Sequence, residues 1–323
     1  MNALRMAAAL LVSALCLPAA ALEVRDDAGN RVVLSAPAQR IVTLAPHVTE
    51  LVFAAGAGAR IVGTVSYSDY PAVARAIPRV GSNSQIDIER LLALKPDLLV
   101  VWLHGNATHQ LEKLRSLGIP LFYSAPQRLD DIPEAVRRLG RLAGTEAQAQ
   151  AAASALQAQL AALAAQYRGR PPVRMFYQVW PHPLYTLNGK HIVSDAMRLC
   201  GGVNIFAALG ATAPVVSVEA VLLENPEAVI GGAIGSDKNE GKNDGKSDDD
   251  QGLALWRNYP ALLAVQRGNL FALDGDLLSR PGPRMIEGAA ALCRSLETAR
   301  AHRPAAAVPV PSPNFPATPA GAH

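Results

Sequence analysis

The chain has 323 residues, half of them apolar and 18% charged, with a formal net charge of +3. That length supports two domains with real cores. The balanced charge and the lack of any basic block argue against a nucleic-acid partner, and beyond the N-terminal segment no apolar run reaches membrane-spanning length.

The N-terminus has the form of a secretory signal. Arg5 supplies the positive charge, Ala7 to Leu17 the apolar stretch, and Pro18-Ala19-Ala20-Ala21 the small residues, with cleavage expected after Ala21. Cys16 is compatible with a lipid anchor, but Leu15 before it is larger than such a processing site usually accepts. The protein is therefore expected to be soluble and exported, or tethered at most. Residues 22–34 read as a hairpin turning at Asp27-Ala28-Gly29-Asn30. Strand 40–43, helix 48–55, strand 61–63, helix 88–94, strand 98–102, helix 107–117 and strand 119–123 then alternate as in an α/β lobe with a parallel sheet.

An amphipathic helix over 131–142 is followed by TEAQAQAAASALQAQLAALAAQY, residues 145–167. Strong helix formers fill this run, and Gly169 with Pro171 and Pro172 stops it. Its apolar positions are mostly Ala with no lasting Leu/Ile heptad, so one long connecting helix fits better than a coiled-coil dimer. A second lobe follows, with strand 173–179, helices 191–199 and 218–224, strands 228–230 and 269–272, and a last helix from Pro283 to Ala299. The expected division is a signal at 1–21, a first lobe at 22–144, an interlobe helix at 145–168 and a second lobe at 169–302. Residues 235–252, charged and without apolar anchors, read as a mobile insert, and the Pro/Ala-rich 303–323 as a disordered tail.

One segment occurs twice. IDIERLLALKPDLLVV at 86–101 and VSVEAVLLENPEAVIG at 216–231 align at a constant spacing. Each opens on a helix-capping residue, Asp87 or Ser217, with Glu89 or Glu219 two places on, and closes through a Pro into an apolar strand. Matching acidic knobs on two similar lobes suit a binder that docks on a symmetric partner; the bland alternative is two solvated glutamates in the amide field of a helix start. Cys200 and Cys293, both in the second lobe, either form a disulfide, as an exported pair invites, or stay as two buried thiols.

Four stretches, VTLAPHVTELVFAAGAGARIVGTVSYSDYP, IERLLALKPDLLVVW, LCGGVNIF and PRMIEGAAALC, resemble the cobalamin-binding proteins of ATP-driven importers. These belong to a wider family of periplasmic metal-chelate binders, which also takes siderophores and haem, and the resemblance spans roughly residues 38–298. It implies a class III fold: two α/β lobes, each with a central mainly parallel sheet, joined by one long rigid helix, with the ligand between them. It also implies that Glu89 and Glu219 pair with arginines on the two copies of an ABC importer permease served by ATPase subunits, that Cys200 and Cys293 are bridged, and that Tyr67, Trp102 and Tyr185 are pocket aromatics. The chain itself is expected to be a monomer.

Further candidates follow from position. His104 and Asn106 lie just past strand 98–102 and His47 just past strand 40–43, where α/β proteins place ligand contacts. Trp180 and His182 share a loop with Tyr185, and Asp276, Arg280 and Arg284 follow strand 269–272, offering hydrogen bonds to amides or a phosphate, with a structural role at the start of the last helix the alternative for Arg284. For each aromatic the alternative is core packing. Two positions depart from the family pattern: Asn83 and Ala213 stand where its cobalamin binders carry tryptophan. Cobalamin or a related corrinoid such as cobinamide is the expected ligand, and haem or a ferric siderophore the alternative, with His47, His104 and His182 able to reach iron. No histidine pair has helical metal-site spacing, so a zinc or manganese binder is not expected. Neither a GxSxG elbow, a phosphate-cradling loop nor a dinucleotide fingerprint occurs, and nothing demands that Asp69 or Asp276 act beside a histidine, so no enzyme activity and no catalytic cofactor are expected.

Overall fold

The computed structural model describes residues 21–106, 108–233 and 252–304. Nearly all of the expected signal segment with Cys16, the insert and the tail lie outside the described residues. The first lobe opens with the hairpin of β1 (Leu22–Arg25) and β2 (Arg31–Leu34). Asp26 closes its turn by accepting from the amides of Ala28 and Asn30.

Then come β3 (Ile41–Thr43), α1 (Pro46–Ala54), β4 (Ile61–Thr64), α2 (Ile88–Ala93), β5 (Leu98–Trp102), α3 (Thr108–Ser116), β6 (Leu121–Ser124) and α4 (Asp131–Ala143). The four strands from β3 to β6 form a parallel sheet in the order β4-β3-β5-β6. Helices cover both its faces, which is why β5 reads as the unbroken apolar run LLVV before Trp102.

The connecting helix α5 (Glu146–Tyr167) packs first on α4. Gly144, at φ 63°, ends α4 in the left-handed conformation and turns the chain back. The two helices lie unusually close. A Cβ built on Gly140 would fall 2.1 Å from the Cβ of Ala149, so only a glycine opposite an alanine permits this approach. The alanine richness of α5 thus serves close packing. Farther along, Leu160 and Tyr167 are also buried, and the helix reaches elements of the second lobe.

That lobe contains β7 (Val173–Gln178), the short hairpin β8 (Trp180–Pro181) and β9 (Leu184–Tyr185), α6 (Ile192–Leu199), β10 (Gly202–Asn204) and α7 (Val218–Glu224). It continues with β11 (Ala228–Ala233), α8 (Ala254–Arg257), α9 (Leu263–Gln266), β12 (Leu270–Asp274), α10 (Gly275–Ser279) and α11 (Met285–Ala301). Its parallel sheet runs β10-β7-β11-β12. The sequence reading did not find β10, the hairpin, or the short helices α8, α9 and α10. Each is too short to show a period of its own. One apolar core runs from the first lobe along α5 into the second, where α11 is fixed to α6 by the Cys200–Cys293 disulfide.

Candidate functional site

A cleft of about 530 Å³ opens between the lobes. Trp102 and His104 line it from the end of β5, and Ala125, Pro126 and Gln127 from the segment after β6. The opposite wall holds Leu187 and the 190–192 segment at the start of α6, Thr212 and Ala213 before α7, Ser279 at the end of α10 and Pro281 just after it. Several of these segments follow strand ends, the position at which open α/β sheets receive ligands.

The loop after β5 is folded around Trp102. Asn106 is buried, and its side chain accepts from the Trp102 amide at 2.8 Å while donating to the carbonyls of Leu44 at 3.0 Å and Asn83 at 2.8 Å. Its capacity is spent on backbone, so it shapes the loop. Asn83 reaches the Gly105 carbonyl only at 3.5 Å. The indole lies over Gly105, where a Cβ would fall 1.7 Å from Trp102 Cε3. His47 stands edge-on to the indole, with ring centroids 5.2 Å apart. It is 2% exposed and its Nε2 has no partner. Burial, reinforced by the Arg280 charge, pushes its pKa down to about 3, so the ring is neutral. The sequence expectation set His47 facing the cleft; the structure seats it behind Trp102, because the second residue of α1 turns into the interlobe contact.

Arg280 and Arg284 join the lobes. Arg284 donates twice to Glu50, a buried carboxylate of α1, and its guanidinium lies 4.2 Å from the centroid of the Tyr70 ring. Arg280 meets Asp276 at 2.9 Å, Asp69 at 3.2 Å and Glu50 at 3.7 Å. Burial alone would raise the Asp69 pKa, but the Arg280 hydrogen bond and charge hold it below the usual carboxylate range. Arg280 was expected to face a ligand, yet here it is engaged by carboxylates; Arg284, for which a structural role at the helix start was the alternative, is engaged by Glu50.

The other expected residues fall outside the walls of this cleft. Tyr67 is 64% exposed, with φ 63°, two residues before Asp69. A tyrosine held in the left-handed region is a local strain of the kind that gathers at binding sites. Trp180, 45% exposed, opens the β8–β9 hairpin opposite the half-buried Tyr185 and donates its indole N–H to the carbonyl of His182, which is exposed at the turn. Sequence reasoning missed Gln127, Lys190, His191 and Thr212 on the walls. Gln127 follows a strand end and was within reach of that rule. The other three are brought in only by the packing of α6 and the loop before α7.

Glu89 and Glu219 occupy the same place on their lobes, exposed in the first turns of α2 and α7. Asp87 caps α2 by accepting from the Arg90 amide at 3.0 Å, and Ser217 caps α7 by accepting from the Ala220 amide at 3.1 Å. Hydrogen bonds from its own backbone amide and from Ser217 hold the Glu219 pKa low, so it is anionic at neutral pH.

Two α/β lobes on a single connecting helix, with a cleft at the strand ends, define a solute-binding protein. The chain belongs to the periplasmic binding protein family, whose model matches residues 41–277. It is a non-catalytic, periplasmic member. It is 37% identical over 268 residues to the vitamin B12-binding protein of Vibrio cholerae serotype O1, covering 82% of this chain and 91% of that one. Against the vitamin B12-binding protein of Yersinia pestis the figure is 35% over 292 residues, 90% of this chain and 92% of the other. The crystal structure of the periplasmic vitamin B12 binding protein BtuF of Vibrio cholerae superposes with a TM-score of 0.73 at 36% identity, over 82% of this chain and 98% of that chain. A periplasmic heme-binding protein, RhuT from Roseiflexus sp. RS-1, shares the fold at 23% identity and a TM-score of 0.67.

Proposed function

We propose that the protein captures cobalamin or a related corrinoid in the interlobe cleft and delivers it to an ABC importer. The observation that carries this reading is the cleft itself, with an indole on one wall, neutral hydrogen-bonding groups and one lysine around it, and a chain more than a third identical to vitamin B12-binding proteins. A corrin presents flat apolar faces fringed with amides. Trp102 offers an apolar plane, while Gln127, Thr212 and Ser279 offer partners for amides. Ala213 lines the open wall, so a contact that a tryptophan would make there falls to other groups. Tyr67, Trp180 and Tyr185, which stand outside the cleft, are the proposed rim that meets the parts of the ligand projecting from it. The interlobe ion pairs and α5 keep the lobes in place, so capture involves side-chain and loop adjustment more than closure.

Delivery follows from the matched glutamates. Glu89 and Glu219 would each meet a cation on one half of a permease dimer, and ATPase subunits would drive transport. The binding protein acts as a monomer spanning both halves.

Haem is the second reading, favoured by one observation: the imidazole of His104 stands on the cleft wall. Titration calorimetry with cyanocobalamin, cobinamide and haemin decides between them. One-to-one binding of a corrinoid is expected. Haemin binding without corrinoid binding would overturn the first reading in favour of the second.

A further inference from the structure

We infer that Lys190 sets the specificity of the cleft by receiving the phosphodiester of a corrinoid's nucleotide tail; this rests on the corrinoid reading above. The described residues lining the cleft include one permanent cation, Lys190, and no carboxylate. His191, beside it, is kept neutral because burial lowers its pKa to about 4. Lys190 is exposed and has no ion pair among the described residues. The arginines that could have competed for an anion are occupied, Arg280 by Asp69 and Asp276, Arg284 by Glu50. An ammonium with no ion partner or acidic neighbour among the described residues of the wall attracts a fixed negative charge on the ligand and raises its local concentration.

The lysine is also held in place. Asn188 is buried, and its side chain accepts from the Lys190 amide at 2.9 Å and donates to the Leu209 carbonyl at 3.0 Å. Its carbonyl accepts from Ser194 Oγ at 2.8 Å. The backbone at 188–191 is therefore braced against two neighbouring elements, and only the flexible lysine stem has to order when a ligand arrives. Complete cobalamins carry one phosphodiester, ionised at any working pH. Cobinamide has the same corrin but lacks that group. The structure thus assigns Lys190 the task of separating the two.

The test is titration of the exported full chain, wild type, Lys190→Ala and Lys190→Arg, with cyanocobalamin and with dicyanocobinamide at low and high sodium chloride. Lys190→Ala is expected to weaken cyanocobalamin roughly three- to tenfold, less at high salt, and to change cobinamide by less than about twofold. Lys190→Arg should retain most of the preference. An equal effect of Lys190→Ala on both ligands, or none on either, overturns the inference while leaving the corrinoid reading intact. A wild type that binds neither corrinoid overturns the reading and the inference together. Lys190 is exposed, so the variants are expected to fold, and an unchanged thermal midpoint checks this.

Discussion

Glu50 on α1 and Arg284 at the start of α11 hold the two lobes together through a two-point contact. Arg284 Nη2 lies 2.7 Å from Oε1 and Nε 3.0 Å from Oε2. Glu50 is buried and Arg284 nearly so. The Glu50 hydrogen bond is the largest of the effects that raise the Arg284 pKa, so the guanidinium stays charged. A pair of this kind fixes geometry more than it adds stability, because both ions were costly to desolvate.

Removing one partner therefore costs more than the pair contributes. Glu50→Gln keeps the shape and leaves Arg284 half-compensated, with a loss of about 2–3 kcal/mol expected. Urea unfolding measures this, and hydrogen exchange should show α1 and the 280–284 segment opening sooner. An unchanged midpoint together with unchanged exchange would remove the pair from any role in lobe placement.

Gly105→Ala is expected to abolish ligand binding while the protein stays folded. The added methyl would overlap the Trp102 ring, and the loop backbone is pinned by Asn106, so the indole has to leave its place on the cleft wall. Calorimetry with cyanocobalamin and near-ultraviolet circular dichroism report the two events. Trp102→Ala should weaken binding at least tenfold, as loss of a buried aromatic anchor does. If Trp102→Ala unfolds the protein instead, the indole is a core residue.

The double substitution Glu89→Ala with Glu219→Ala should leave ligand affinity and thermal midpoint unchanged and abolish uptake in cells that depend on this protein. Both side chains are exposed and sit on capped helices whose caps, Asp87 and Ser217, are untouched. Normal uptake by the double variant would sink the docking model.

His47 makes the protein acid-sensitive. Its folded pKa is about 3, below the ordinary 6.5. Between those values the unfolded chain binds the proton and the folded one does not, so stability falls as pH drops from 6.5 toward 3. The slope from this group approaches about 1.4 kcal/mol per pH unit within the window. His191, depressed to about 4 by burial, acts in the same direction over a narrower range. Urea midpoints across this range should show a shallower slope for His47→Phe than for wild type. Parallel slopes would exclude His47 as the source.

Much of this molecule was legible in the chain. Runs such as LLVV in β5 declare a strand buried on both faces, and α5 declares itself by its alanines and its glycine-proline stop. The repeat at Glu89 and Glu219 is visible because local capping chemistry writes itself in consecutive residues, Asp87 and Ser217 included. Short strands such as β10 escaped because three residues carry no period. The cleft was only half legible. His104 follows a strand end and could be placed from that, and Trp102 from the resemblance, whereas Lys190 and Thr212 depend on how α6 and the loop before α7 pack. Side-chain partnership was not legible at all. Arg280 and Arg284 look like free cations in the chain, and only the meeting of two lobes brings Glu50 and Asp69 to them. Likewise His47 reads as a cleft residue until the structure buries it behind the Trp102 indole. Local periodicity and capping act between neighbours in sequence, so the sequence by itself determined the elements, their order and the paired acidic knobs. Charge pairing and desolvation act across space between distant segments, so only the tertiary structure decided which cations stay free to meet a ligand.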